Sequence, residues 1–99
     1  MTKKYCFDVD LTICTTQDTD YENSKPIIDR INQINELKKQ GNEIIFYTAR
    51  GFVSRVDYYE LTFKQLKNWG VNFDGLYMGK PNADYYVDDK ASDPFGWFK

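Results

Sequence analysis

Residues 43–48 (EIIFYT) are a continuous run of apolar and β-favouring side chains near the middle of the chain. Such a run predicts a strand that is covered on both faces, as strands are in a parallel sheet. A similar run at residues 3–8 (KKYCFD) predicts the first strand of the same sheet. Shorter runs within residues 71–78 and at residues 83–87 predict a third and a fourth strand.

Two of the connections between these strands have the spacing of amphipathic helices. The first helix is predicted to have Pro26 in its first turn and to stop at Gly41, with apolar residues at Ile27, Ile28, Ile31, Ile34 and Leu37. The second is predicted from Arg55 or Val56 to Trp69, with one side formed by Tyr59, Phe63, Leu66 and Trp69. Residues 12–25 are rich in Thr, Asp, Asn and Ser and predict a surface loop. Strands that alternate with helices predict one α/β domain over residues 1–99, a short parallel sheet flanked by helices.

Composition excludes several classes of function. With 13 Lys+Arg against 15 Asp+Glu, the net charge of −2 argues against a nucleic-acid-binding surface. No apolar run is long enough for a membrane span and the first residues do not resemble a signal peptide, so a cytoplasmic location without membrane contact is expected. The chain has no His, which rules out a Ser-His-Asp or Cys-His nucleophile and any His-ligated zinc site.

Polar residues follow each predicted strand, at the edge where parallel sheets bind their ligands. Asp8 and Asp10 follow the first strand, Thr48 ends the second, Lys80 comes after the third, and Asp88-Asp89 follow the fourth. Four carboxylates at one edge would repel one another unless a cation held them, and oxygen ligands favour Mg²⁺. A lysine and a threonine beside such a cation are suited to binding a phosphate. Arg50 could bind a substrate phosphate, carboxylate or sugar hydroxyl, or pair with a surface acid.

The order and identity of these residues resemble the haloacid dehalogenase-like (HAD) superfamily of phosphatases. The match consists of Asp-x-Asp-x-Thr at residues 8–12, Thr48, Lys80 and the pair Asp88-Asp89, in that order. The stretches YTARG, TFKQLKNWGV and GKPNADYYVDDKA look like the small bacterial phosphatases of capsule and lipopolysaccharide biosynthesis. The resemblance implies a three-layer Rossmann-like core in which strand one lies between strands two and four.

The resemblance also implies roles for the residues at the strand ends. Asp8 would be the nucleophile that forms an aspartyl-phosphate, and Asp10 the general acid and base. Thr48 and Lys80 would hold and stabilise the transferred phosphoryl group. Mg²⁺ would be held by Asp8, by the backbone carbonyl of Asp10 and by Asp88, while Asp89 would bind through water or orient Lys80.

The connections at residues 11–25 and 79–82 are too short to hold a cap domain, so a capless enzyme with an open site is predicted. The resemblance implies a sugar phosphate or capsule precursor as substrate. Two alternatives remain: a nucleotide phosphatase in which Phe52, Tyr58 or Tyr59 stacks on a base, and a non-catalytic protein that binds a phosphorylated ligand. The aromatic tail at residues 94–98 predicts packing over a sheet edge, with a contact between two copies of the chain as the alternative.

Overall fold

The computed structural model describes residues 2–79 and 83–87 of this chain. Within them, four parallel strands form one sheet: β1 (Lys4–Asp8), β4 (Glu43–Tyr47), β5 (Gly75–Tyr77) and β6 (Tyr85–Val87). Their order across the sheet is β5-β4-β1-β6. All four predicted strands are therefore confirmed, and so is the implied position of β1 between β4 and β6.

The register aligns the carboxyl ends of the two central strands. Phe7 lies opposite Phe46 and Asp8 opposite Tyr47 in the β1–β4 pair. On the other side of β1, Phe7 lies opposite Val87 in β6. Residues that follow Asp8 and Tyr47 in the sequence therefore leave the sheet at the same edge.

Helices α1 (Ile28–Lys39) and α2 (Tyr59–Asn68) connect the strands. Both predicted helices exist, but both start later than expected. Pro26 lies in a short strand rather than in the first turn of α1. The segment before Tyr59 contains a turn in which Arg55 has a positive φ of 64°, a conformation that a helix cannot include.

Residues 12–25 are more ordered than the predicted surface loop. They contain strand β2 (Cys14–Thr15) and a 3-10 turn at Tyr21–Asn23, and β2 pairs in antiparallel register with β3 (Lys25–Pro26). The loop prediction is wrong because it weighed the polar residues and overlooked Ile13 and Cys14, which are fully buried. These two side chains fix the hairpin to the core.

The main apolar cluster joins the helices to one face of the sheet. Its buried members among the described residues are Phe7, Val9, Ile13, Cys14, Ile31, Ile34, Ile44, Phe46, Leu66, Val71, Leu76 and Val87. Cys6 and Ile45 alternate with cluster residues along β1 and β4 and are buried as well. The central strands are thus covered on both faces, as their continuous apolar runs predict. A parallel α/β fold is confirmed, while its three-layer, HAD-like form stays a prediction.

Neither α1 nor α2, nor any other helix in the described residues, is long and apolar enough to cross a bilayer.

Candidate active site at the carboxyl edge of the sheet

Asp8 is at the end of β1, and Thr48 directly follows the end of β4. Asp8 is the last residue of β1 and lies opposite Tyr47, the residue before Thr48. The Asp8 carboxylate accepts a hydrogen bond of 2.8 Å from the backbone N–H of Val9. Neighbouring strands are about 4.8 Å apart, so the register brings Asp8 and Thr48 to adjacent positions on one edge.

Thr48 is oriented by contacts on both sides. Its backbone N–H donates to the carbonyl of Tyr77 at 3.0 Å, which extends the β4–β5 ladder past the end of the strand. Its hydroxyl oxygen accepts a hydrogen bond of 3.1 Å from the backbone N–H of Arg50. Since the oxygen serves as the acceptor in that contact, the hydroxyl hydrogen can point elsewhere and donate to a second acceptor.

Arg50 is the most extensively bonded side chain described at this edge. A guanidinium has five N–H donors, and each of them has an acceptor within the protein. Nε donates to Asp10 Oδ2 at 2.9 Å, and one terminal nitrogen donates to Thr62 at 3.1 Å and Gln65 at 2.6 Å. The other terminal nitrogen donates to Asp10 Oδ1 at 2.7 Å and to Ser24 at 3.2 Å. In this structure Arg50 therefore has no N–H group left over for the substrate contact that the sequence predicts.

The Arg50 side chain is fully buried, while that of Asp10 is 25% exposed. The open alternative that Arg50 pairs with an acid thus describes the observed geometry better, although the acid is a motif residue rather than a surface one. Replacing either partner would leave the other as a largely desolvated charge, which is costly. The pair accordingly has a structural role in addition to any role in chemistry.

Asp10 is held in its ionised form. Burial by itself would raise the pKa of this carboxyl, but the hydrogen bonds from Arg50 and Thr16 and the charge of Arg50 outweigh it and lower the pKa. The Thr16 hydroxyl donates to Asp10 Oδ1 at 2.6 Å. A carboxyl with a lowered pKa is ionised at neutral pH, so it can accept a proton only as a weak base and cannot donate one until its surroundings change.

Two residues of this network were not anticipated from the sequence, Thr62 and Gln65. Both are buried on α2 together with Leu66, whereas Tyr59 and Phe63 of the predicted apolar side are exposed. Gln65 accepts from Arg50 and also donates to the backbone carbonyl of Tyr21 at 2.5 Å. Polar side chains on a helix are ordinarily expected to be solvated, and these two face inward because they bind the buried Arg50 and, for Gln65, the Tyr21 carbonyl.

Tyr21 closes the network from the hairpin side. Its ring lies under the guanidinium, with the carbon of Arg50 at 4.7 Å from the ring centre, a cation–π contact. The ring of Tyr58 meets Tyr21 edge-on at 4.9 Å between centres. Arg50 therefore joins the hairpin, the end of β4 and helix α2 into one unit.

Cys14 lies in the same network without being activated by it. Burial and the neighbouring Asp10 charge raise the pKa of the Cys14 thiol to about 11. Its sulfur is 3.6 Å from Asp10 Oδ1. The thiol is protonated near neutral pH, which excludes it as a thiolate nucleophile.

A cavity of about 430 Å³ opens beside Thr48. Its described lining comes from the residues after β4 and β5: Tyr47, Thr48, Ala49, Arg50, Gly51, Phe52, Met78 and Gly79. Phe52 and Met78 are 77% and 46% exposed, so a bound molecule would cover them. Of the three aromatic residues considered for stacking on a base, only Phe52 lines this cavity among the described residues.

The remaining predicted site residues, Lys80, Asp88 and Asp89, lie outside the described residues. Within the described part, no group of three or more acidic, Cys or His side chains is arranged to hold a metal ion. Asp8 offers the hard oxygen ligands that Mg²⁺ prefers. The Asp10 carboxylate faces Arg50, which is compatible with the implied contribution of Asp10 through its backbone carbonyl. The described donors thus fit a Mg²⁺ site in part and do not complete it.

Comparison with known proteins adds information about the fold. No family model matches the chain, and no curated protein matches it. The chain is similar to the crystal structure of a target protein from Vibrio cholerae, with 28% sequence identity and a TM-score of 0.78. The match covers 97% of this chain and 87% of that one. The same α/β fold therefore occurs in a crystal structure over nearly the whole length.

Proposed function

We propose that this protein is a Mg²⁺-dependent phosphomonoester hydrolase of the HAD type, acting through an aspartyl-phosphate on Asp8. The observation that carries the proposal is the register of β1 and β4, which brings Asp8 and Thr48 to neighbouring positions at the carboxyl edge of a parallel sheet. A carboxylate and a hydroxyl at that edge can bind the two sides of a phosphoryl group. The three-layer core with no cap domain belongs to the same proposal.

In the first proposed step, a carboxylate oxygen of Asp8 attacks phosphorus while the ester oxygen leaves in line. The Thr48 hydroxyl donates to a phosphoryl oxygen, and Lys80 balances the charge that develops there. The leaving oxygen takes up a proton, which we assign to Asp10. Because Arg50 favours the ionised form of Asp10, this assignment requires the pair to loosen when substrate binds.

In the second proposed step, water attacks the phosphorus of the aspartyl-phosphate, and the bond to the Asp8 oxygen breaks. Asp10 is ionised after the first step, and its carboxylate accepts a proton from this water. The products are inorganic phosphate and the free Asp8 carboxylate. Mg²⁺ held by Asp8, the Asp10 carbonyl and Asp88, with Asp89 at its side, would reduce the repulsion between carboxylate and phosphate.

The substrate implied by the resemblance is a sugar phosphate or capsule precursor. A nucleotide phosphatase is the second candidate, and the aromatic Phe52 at the cavity beside Thr48 favours it. A non-catalytic phosphate-binding protein is the third. Such a protein would keep the binding geometry and have no use for a nucleophile at Asp8.

The test is release of phosphate from a panel of phosphomonoesters, with and without Mg²⁺. We expect turnover that requires Mg²⁺ and that falls by at least about 10³-fold in Asp8→Asn, because the neutral amide cannot attack phosphorus. Asp18→Asn is the matched control, since Asp18 is exposed in the hairpin and the charge change is the same. Folded protein that binds the esters and releases no phosphate would replace the hydrolase proposal with the binding one.

A further inference from the structure

The cavity beside Thr48 differs in chemistry from a site for a sugar. Its large exposed side chains are Phe52 and Met78, and Ala49, Gly51 and Gly79 supply half of the remaining described lining. Of the polar side chains in the described lining, Arg50 has its five donors committed to the protein. Thr48 is assigned to the phosphate, and Tyr47 is the one further polar side chain of the described lining. Hydroxyl groups of a sugar would lose hydrogen bonds to water here and regain few from these side chains.

A flat apolar group fits the same lining. Cavities of about 300 Å³ to 1,000 Å³ with mostly apolar walls and a few polar groups are typical small-molecule sites, and this one has about 430 Å³. An aromatic base has a face that can stack on a phenyl ring whatever its hydrogen-bonding edge. The thioether of Met78 makes favourable contacts with aromatic rings. Thr48 borders the cavity, so a phosphate on Thr48 would place its attached group within it.

We infer that this cavity selects phosphomonoesters whose leaving group carries an aromatic ring, with nucleoside monophosphates turned over in preference to sugar phosphates. The inference rests on the proposed phosphatase function and names the substrate class for that site. Phe52 is the main contact in it, because its ring lies in the cavity lining and is 77% exposed without a ligand.

The decisive pair of substrates is adenosine 5′-monophosphate and glucose 6-phosphate. Both are phosphate esters of a primary alcohol, so the leaving oxygen is alike and the attached ring differs. Wild-type protein should show a higher kcat/KM for the nucleotide. In Phe52→Ala we expect kcat/KM for the nucleotide to fall about tenfold, through KM, as expected for the loss of one stacking contact. Glucose 6-phosphate should change by less than about twofold.

Val53→Ala is the matched control for Phe52→Ala. Val53 is adjacent in the same turn and 95% exposed, and it is not part of the described cavity lining. Met78→Ala should act in the same direction as Phe52→Ala. The inference would be overturned if Phe52→Ala lowered kcat/KM equally for both esters. It would also be overturned if Val53→Ala lowered kcat/KM for the nucleotide as much as Phe52→Ala does. Phe52 and Val53 are largely exposed and Met78 is nearly half exposed, so each variant is expected to fold.

Calorimetric titration of adenosine 5′-monophosphate in the presence of Mg²⁺ separates this inference from the hydrolase proposal. Binding weakened about tenfold by Phe52→Ala supports the cavity assignment, even if no ester is hydrolysed and the hydrolase proposal fails. Binding that Phe52→Ala leaves unchanged, or no measurable binding, refutes the cavity assignment even if other phosphomonoesters are hydrolysed.

Discussion

At the scale of single residues, the buried Arg50–Asp10 ion pair connects more segments of the described structure than the other ion pairs there do. The guanidinium is removed from water and meets a carboxylate in the two-pronged geometry that arginine favours. Its remaining donors bind Thr62, Gln65 and Ser24. A lysine could not replace it, since an ammonium has three donors and no planar fork. The pair therefore links the end of β4 to the hairpin and to α2.

This pair predicts strong thermodynamic coupling. Arg50→Met and Asp10→Asn should each lower the free energy of unfolding by about 3 kcal/mol, because each leaves a desolvated partner. The double variant should lose at least about 2 kcal/mol less than the sum, because the unpaired charge is gone. Urea unfolding at pH 7 measures all four proteins.

The matched control for this cycle is Arg55→Met. Arg55 is an exposed arginine in the next turn, and its replacement should change the free energy of unfolding by less than about 0.5 kcal/mol. Strictly additive losses in the cycle would show that the two side chains do not depend on each other, contrary to the geometry.

At the scale of elements, the turn between β4 and α2 sets the shape of the candidate cavity. The N–H of Arg55 donates to the carbonyl of Gly51 at 2.8 Å, which closes the turn. Gly51 has a φ of +81°, and a Cβ added to it would lie 1.9 Å from the carbonyl oxygen of Val56. Glycine is required here for two separate reasons: the backbone is left-handed, and the backbone of Val56 approaches too closely for a Cβ.

Comparison of Gly51→Ala with Gly70→Ala separates these two reasons. Gly70 has a similar φ of +77°, and a Cβ there would meet nothing within 4 Å. We expect Gly70→Ala to cost about 1 kcal/mol, from the left-handed conformation alone, and Gly51→Ala to cost at least about 2 kcal/mol. Gly51→Ala should also weaken ligand binding in the cavity. Thermal or urea unfolding measures the free energy of unfolding lost in each variant. Equal losses would mean that the turn can move away from the added Cβ without loss of stability.

The elements also show where sequence reasoning succeeds. Long apolar runs predict β1 and β4 within one residue of their observed bounds, because a strand buried on both faces has no other pattern. The start of α2 was misplaced because Tyr59 is preceded by a turn whose geometry depends on Gly51 and Arg55. Turns of this kind are determined by contacts between neighbouring segments, which a single sequence does not display.

At the scale of the whole molecule, the residues at the carboxyl edge of the sheet could be predicted from the sequence. The buried hydrogen-bond network around Arg50 could not. Asp8 and Thr48 follow strands that are evident in the sequence, and parallel topology brings such positions together. The inward face of α2 could not be predicted, because Thr62 and Gln65 are buried in contacts with Arg50 and, for Gln65, also with the Tyr21 carbonyl. Arg50 itself was considered as a substrate contact because no local pattern reveals that a charged side chain is buried.

Two carboxyl groups with lowered pKa values, Asp10 and Asp74, predict how the free energy of unfolding changes in acid. Asp74 lies far from the candidate site, binds Lys38 of α1 at 2.8 Å and accepts from the N–H of Ile44 at 2.8 Å. Burial would raise its pKa, yet these hydrogen bonds and the Lys38 charge lower it below the ordinary value of 3.8. Asp10 has a lowered pKa as well, from the contacts with Arg50 and Thr16.

A carboxyl whose pKa is lower in the folded state binds fewer protons there than in the unfolded chain. Its contribution is complete above the ordinary pKa of 3.8 and is lost as the pH falls through the folded-state value below it. The free energy of unfolding should therefore decrease as the pH falls through the ordinary value of 3.8 and below it. Asp10→Asn should flatten this decrease most. Asp74→Asn should flatten it by less than about 1 kcal/mol, since that ion pair is exposed to solvent and screened.

Urea unfolding across this pH range, with Asp18→Asn as the control for loss of an exposed carboxyl, measures each contribution. The curves of wild type and Asp10→Asn should differ most near neutral pH and approach each other in acid, because protonation removes from the wild type the same charge that the substitution removes. Parallel curves for Asp10→Asn and wild type would mean that the carboxyl titrates alike in the folded and unfolded chains. The Arg50 pair would then contribute packing and hydrogen bonds but no net charge stabilisation, and the expected coupling at pH 7 would have to arise without the ionic part.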